Sequence, residues 1–380
     1  MSEWRSVQLG EVIDIYDHKR VPLSSHQRSS RQGPFRYYGA QGVIDSIDAY
    51  IFDGRFILVP EDGENLRSRK LPIAYLAEGQ FWVNNHAHIV KAKPSLASDR
   101  FVQSALESTN IAAWVTGAAQ PKLSQANLRQ IEICLPSFAT QERISCVLDS
   151  LDDLIENDRR RVEVLREMTL AIYREWFVHF RYPGHESVPL VDSAQGQIPD
   201  TWMATTLGSV IELKYGKALK AGDRAGGGVA VVGSSGVVGW HDHSLVAGPA
   251  IVVGRKGNVG SVTWLDGPSW PIDTTYFVMS RLPLRFVAEQ LRGIEFINTH
   301  AAVPGLSRES AYGKPFLVPA DEVLASYEEI ASTLGLQASA LTSHSERLVE
   351  LRNVLLPRLV TGQIDVSTLD LGALIEGSAA

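Results

Sequence analysis

From Thr140 to Val178 the chain contains no Gly or Pro. Its apolar side chains fall at Ile144, Leu148, Leu151, Ile155, Val162, Leu165, Ile172 and Trp176, in steps of four and three with gaps at Asp158 and Thr169. The spacing predicts one helix with an apolar seam, roughly 58 Å long at its usual rise per residue. A helix of that length exceeds the width of a compact domain, so it is expected to separate two bodies. A second stretch, Val323 to Val360, carries the same pattern at Tyr327, Ile330, Leu334, Leu341, Leu348, Leu351, Leu355 and Leu359. Small residues at Ala331, Ala338 and Ser345 thin that seam, and Pro319 precedes it as Pro136 precedes the first. Two such seams can zip together, the small residues of one admitting the bulky ones of the other, or each can pack on its own domain. Periodicity alone leaves both open.

The remaining stretches alternate short apolar runs with Gly and Pro turns. Phe56 to Val59, His88 to Val90, Ala250 to Val253 and Tyr276 to Met279 read as strands, and Ser98 to Thr109 and Leu284 to Thr299 as helices. The fold class is therefore α+β. The expected organisation is a globular domain at 1–139, a long helix at 140–181, a linker at 182–199, a second globular domain at 200–320, a second long helix at 321–362 and a tail at 363–380. The Pro, Gly and Ser content of Arg181 to Pro199 is that of a linker.

The two halves repeat each other. Trp4-x4-Leu9-Gly10-x-Val12-Ile13 recurs as Trp202-x4-Leu207-Gly208-x-Val210-Ile211, an offset of 198. At offset 194, Tyr38-Gly39-x-x-Gly42 matches Val232-Gly233-x-x-Gly236, and Ile57-Leu58-Val59 matches Ile251-Val252-Val253. Trp82-x-x-Asn85 matches Trp270-x-x-Asp273 at offset 188, and Ala119-x-Pro121-x-Leu123-Ser124 matches Ala302-x-Pro304-x-Leu306-Ser307 at offset 183. Offsets that fall in order are what loop-length changes between two copies of one module produce.

Composition adds exclusions. At 44% hydrophobic and 21% charged residues the chain can bury real cores. It has no apolar run near the length of a membrane span and no signal-peptide layout at its N-terminus, which predicts a cytoplasmic protein without a membrane role. Two cysteines, Cys134 and Cys146, make neither a disulfide framework nor a zinc site. The net charge of −7 argues against nucleic acid until it is divided by segment. Residues 1–139 carry 15 Lys and Arg against 14 Asp and Glu, and residues 200–320 carry 11 against 9, so the acidity lies outside them, with 7 against 9 in 140–181 and 3 against 6 in 321–361. The globular parts permit nucleic acid without demanding it.

Catalytic motifs are scarce. No phosphate-cradling Gly-rich loop with its Lys occurs, and His241 and His243 have no neighbours to complete a metal set. Pro199-Asp200 followed by Glu212-Leu213-Lys214 has the form of a metal-dependent nuclease, two carboxylates holding a metal and a lysine supporting the attacking water. That pattern is short, and the first copy lacks it. What remains is loops of binding character. In the first copy Arg20, Arg28, Arg31 and Arg36 lead into a turn containing Gln41, with Arg67, Arg69, Lys70, Asn85 and Lys122 further on. In the second, Lys217, Lys220, Ser234, Ser235, Arg255, Lys256, Asn258 and Thr274 lie on the equivalent loops. Arginine forks grip phosphates or the guanine O6/N7 edge, Asn and Gln pair with adenine, and glycines admit close backbone approach. For any one residue the plainer reading is solvated surface charge; as a set on equivalent loops they are candidate DNA contacts.

In this order, twice over, the Trp-x4-Leu-Gly starts, the Gly-x-x-Gly turns, the Pro-x-Leu-Ser motifs and the closing Leu355-Leu356-Pro357-Arg358-Leu359-Val360-Thr361-Gly362-Gln363-Ile364 resemble the DNA-specificity subunits of Type I restriction-modification systems. The resemblance covers essentially the whole chain. It implies two target-recognition domains, each reading half of a bipartite target in double-stranded DNA, held apart by two long antiparallel coiled-coil helices. It further implies docking of two methyltransferase subunits on those helices and, indirectly, of restriction and motor subunits. S-adenosylmethionine, ATP and Mg would sit on those partners, with no cofactor, metal or catalytic residue on this chain. One departure is Pro60-Glu61-Asp62-Gly63-Glu64, which stands where the second copy has a basic Gly-rich loop. Its acids suit cytosine N4 better than phosphate. The alternative from another class is a self-contained endonuclease using Asp200, Glu212 and Lys214.

Overall fold

The structure is a computed structural model that describes residues 4–296 and 305–367. It divides into two units, Met1–Asn157 with His344–Ala380, and Asp158–Ser343. Ala302 and Pro304 of the repeat lie outside the described residues.

In the first unit one antiparallel sheet has the spatial order Ile13–Ile15, Ala87–Ala92, Phe56–Pro60, Tyr75–Ala77. Every residue of Phe56–Pro60 is buried, as expected of a strand covered on both faces. A second sheet has the order Gly42–Ile47, Gln32–Gly39, Gln80–Val83, Phe52–Asp53, with Gln32–Gly39 and Gln80–Val83 parallel. Arg5–Gln8 pairs with Glu132–Leu135 in a separate ribbon. The helix Asp99–Ser108, capped by Ser98 Oγ accepting from the Phe101 amide, buries Phe101, Val102, Ala105 and Leu106 against the first sheet.

The second unit has the same plan. Its sheets run Ile211–Tyr215, Thr275–Ser280, Ala250–Gly254, Val262–Leu265 and Gly236–His241, Val229–Gly233, Ser269–Pro271, with Met203–Thr206 on Pro315–Val318. Even the irregularities correspond, with a bulge between Tyr37 and Tyr38 in one unit and between Val231 and Val232 in the other. The helix expected at Leu284 to Thr299 spans Leu284–Gly293, with extended backbone at Ile294; its expected end falls outside the described residues.

The repeated motifs have physical reasons. Leu9 and Leu207 are fully buried. A Cβ on Gly10 would come within 2.9 Å of Arg129 Cβ, and one on Gly208 within 2.7 Å of Tyr312 Cβ, so only glycine lets these short helices approach their neighbours. Gly42 and Gly236 turn their hairpins at φ +117° and +101°, outside the range of other residues.

The long helices span Phe138–Tyr173, 36 residues, and Asp321–Val360, 40 residues. The first was expected over 140–181; its α-helical part ends at Tyr173, Arg174–Val178 continues as a wider π-helix, and residues 179–181 are not helical. Its start is capped by Ser137 Oγ accepting from the Thr140 amide. Each unit uses a part of both. In the first unit Ile144 and Leu148 share a core with Leu356, Leu359 and Val360, and Asp152 pairs with Arg352 at 2.7 Å. Trp4 lies against Gly362 there. In the second unit Tyr173 and Phe177 share a core with Leu324, Tyr327 and Ala331, and the Phe177 ring stands edge-on to Tyr327 at 5.0 Å. The supposed linker is ordered: Leu190–Ser193 and Gly196–Pro199 form a hairpin, and Tyr182 stacks on Trp202 at 5.4 Å. Its Gly and Pro serve turns and not a loose tether.

Candidate nucleic-acid interface

In the second unit, five of the predicted residues come together. The loop after Ala250–Gly254 is tight: the Arg255 and Lys256 amides both donate to the Thr274 carbonyl, at 2.9 and 3.0 Å. Ser261 Oγ donates to the Ser234 carbonyl at 2.7 Å, and the Asn258 amide reaches Ser234 Oγ at 3.4 Å. Ser234, Arg255, Lys256, Asn258 and Thr274 therefore share one place, with Ser235 exposed on the same turn. Lys217 is exposed, its main chain bonded to Pro271 and its carbonyl accepting from Trp270 Nε1 at 2.9 Å; Lys220 is exposed three residues on.

Two residues that the sequence reading did not single out complete this region. The Arg255 guanidinium lies over the Tyr215 ring at 5.2 Å, and that of Arg308 lies over the same ring at 4.0 Å. Both also stand 5.9 Å from the Tyr276 ring. Tyr276 donates to the Leu306 carbonyl at 3.0 Å, and burial, with the Tyr215 phenol beside it, pushes its pKa up to about 12. The signal for Tyr215 and Arg308 lay in the repeat: at offsets 198 and 183 they correspond to Asp17 and Gln125.

The first unit fills the same positions with a closed ionic network. Asp17 Oδ2 accepts from His88 Nδ1 and from Gln125 Nε2, each at 2.6 Å, and Oδ1 accepts from the Ile89 amide at 2.8 Å. His88 Nε2 meets the Leu123 carbonyl at 2.7 Å, so both ring nitrogens face acceptors, and only the doubly protonated ring donates to both. Glu61 pairs with Arg20 at 2.7 Å and Lys122 at 3.2 Å; Arg20 also donates to the Ala87 and Asn85 carbonyls. Burial by itself would raise Asp17, but the His88 hydrogen bond and charge hold its pKa below the ordinary carboxylate range. Glu61 is likewise held down, against burial, by Arg20, His88 and Lys122. Asp17, Glu61 and His88 are the one cluster of metal-ligand type among the described residues. Their lone pairs are already taken by cationic and amide donors, which a metal would have to displace. Glu61 is equally engaged, so its carboxylate does not stand open toward a base edge.

The other predicted residues of this unit are scattered. Arg28 pairs with Asp45 at 2.9 Å and lies over Tyr37; Arg31 pairs with Asp48 at 2.8 Å and lies over Trp82. Arg36 and Gln41 are exposed on the neighbouring strand and hairpin turn, and Asn85 on the loop before Ala87–Ala92. Arg67 donates to the Gly117 and Ala118 carbonyls and Arg69 to those of Glu107 and Thr109, while Lys70 is exposed. Of the nuclease trio, Glu212 and Lys214 project from the exposed face of Ile211–Tyr215, 3.5 Å apart. Asp200 lies in the turn between the hairpin and Trp202.

The Type I restriction modification DNA specificity domain matches residues 1–166. Over 180 residues the chain is 33% identical to a type I restriction enzyme specificity subunit of Haemophilus influenzae, 47% of this chain and 45% of that one. Over 100 residues it is 32% identical to the type I restriction enzyme MjaIX specificity subunit of Methanocaldococcus jannaschii, 26% of this chain and 23% of that one. The matched stretches thus span less than half of either relative's length. The solved S subunit of a Type I restriction-modification system from M. genitalium has a like fold, with a TM-score of 0.62 at 16% identity over 96% of this chain and 97% of its own. The relatives are specificity subunits, which leaves the endonuclease reading of Asp200, Glu212 and Lys214 without support. Among the described residues, no helix is long and apolar enough to cross a membrane.

Proposed function

We propose that the chain is a Type I restriction-modification specificity subunit, the DNA-reading member of such an assembly, without catalysis of its own. Each globular domain reads one half of a bipartite target in double-stranded DNA. The long helices form an antiparallel coiled-coil spacer between two copies of one duplicated module, related by a pseudo-twofold axis. They also dock two methyltransferase subunits, which carry S-adenosylmethionine, and through these the ATP- and Mg-dependent restriction subunits. The observation that carries this reading is recurrence: the specificity domain matched at residues 1–166 has its four-stranded sheet order, three strands of its second sheet and its short Ser-capped helix again in residues 203–318. Two readers on one spacer suit a split target, because each half-site is then addressed separately and the gap between them stays unread.

Selection from random duplex DNA, with the methyltransferase partners present, tests this. The expected result is two short motifs separated by a gap of fixed length. One contiguous motif, or no enrichment at all, would refute it.

A further inference from the structure

Four positions correspond between the units both in the repeat and in the fold: Asp17 with Tyr215, Glu61 with Arg255, His88 with Tyr276, and Gln125 with Arg308. One hydrogen bond anchors the match, since His88 Nε2 meets the Leu123 carbonyl where the Tyr276 hydroxyl meets that of Leu306. We infer that in the second unit Arg255 and Arg308, held against Tyr215, are a clamp for a bidentate acceptor of DNA, and that the first unit has closed the same point with its own side chains. The two halves of the protein would then engage DNA through different chemistry at one place in the fold. This inference rests on the DNA-reading function proposed above.

The charge balance points there. In the first unit the side chains of Asp17 and His88 are 3% and 1% exposed, and each formal charge has an opposite within the network. In the second, two guanidiniums share two phenol rings, and among the described residues no carboxylate joins them. Arg255 donates to the Asp273 carbonyl at 3.1 Å and pairs with no carboxylate among the described residues, and Arg308 has neither a hydrogen bond nor an ion pair among them. The Nε atoms of both are shut off from solvent without an acceptor. Two like charges held this close repel, and the arrangement is favourable once an anion or a paired acceptor arrives between them.

The ligand class follows from geometry. A guanidinium held over an aromatic ring still offers its terminal Nη donors, which match the oxygens of a phosphate or the O6/N7 pair of guanine. Tyr215 is 50% exposed, so the platform that holds both arginines faces solvent. Ser234, Lys256 and Asn258 border it with further donors.

The test uses the full chain assembled with its methyltransferase partners and a duplex carrying the selected target, titrated over a range of salt. Arg255→Gln with Arg308→Gln, the latter the first unit's own residue at that position, should weaken binding roughly 10- to 100-fold and lower the slope of log K against log salt by about one to two. Arg255→Lys with Arg308→Lys should keep the slope and lose part of the affinity, because charge remains and the fork is gone. Equal loss on every sequence assigns phosphate; loss confined to targets with guanine at one position of the second half-site assigns the base. Asp17→Asn in the first unit should lower thermal stability and leave the salt slope unchanged. A folded double Gln variant that binds like wild type would overturn the inference alone. Failure of the wild-type assembly to select any sequence would overturn the function it rests on.

Discussion

Asp17 shows how one position decides what a surface can do. Its carboxylate holds His88, Gln125 and the Ile89 amide, and through His88 it fixes the loop that carries Leu123. Asp17→Asn would remove the carboxylate that holds buried His88, Gln125 and the Ile89 amide, and a buried hydrogen-bonding group left unmatched costs about 1–3 kcal/mol. Chemical denaturation followed by a probe in the first unit should show that loss, with the second unit unchanged. The pH dependence has a defined sign. Asp17 and Glu61 are depressed in the folded state, so the folded chain binds fewer protons than the unfolded one near their ordinary values. Their stabilisation is therefore present above about pH 4 and lost as pH falls through the depressed values. Melting temperatures recorded from neutral to pH 3 should fall steeply below pH 4, and less steeply in Asp17→Asn.

At the scale of the element, the Leu-Gly pairs explain how short helices hold a module's first and last strands in place. Leu9–Val12 lies on Gln125–Gln130, and Leu207–Val210 on Arg308–Tyr312, each across a glycine with no room for a methyl group. Intrinsic helix propensity favours alanine over glycine by up to about 1 kcal/mol. Here the sign should reverse, because the atoms in the way are Cβ atoms near the main chain and not the tips of flexible side chains. Gly10→Ala and Gly208→Ala should each destabilise their own unit by about 1–3 kcal/mol in urea titrations. A gain in either would mean that the neighbouring helix gives way.

For the whole molecule, the first unit is built from both ends of the chain. Leu356, Leu359 and Val360 sit in the same core as Leu9, Ile144 and Leu148, and Gly362 seats Trp4. A chain ending at Ser343 should lose the cooperative unfolding of its N-terminal unit, since a single buried Leu lost is worth about 2–5 kcal/mol and more than one is removed. Adding a peptide of residues 344–367 should restore it, measured by hydrogen exchange in the strands of that unit. The proposed spacer role makes a further expectation. Removing one heptad from each long helix shortens both by roughly 10 Å, which corresponds to about three base pairs. The selected gap should shrink by that amount, and an unchanged gap would sink the ruler.

The sequence by itself determined the long helices, the principal buried strands and their recurrence. Seams of period 3.5, buried runs such as Phe56 to Val59 and obligatory glycines at Gly42 and Gly236 are short-range consequences of backbone geometry, so they can be read without knowing what they touch. Tertiary structure alone decided which charges are spent. Arg20 and Arg255 look alike in the sequence, yet Arg20 meets Glu61, 41 residues away, while Arg255 stands over Tyr215, 40 residues back, with no carboxylate beside it among the described residues. Whether a guanidinium is neutralised depends on which side chains the sheet register brings within a few ångströms, and that is a property of the folded chain rather than of any local pattern.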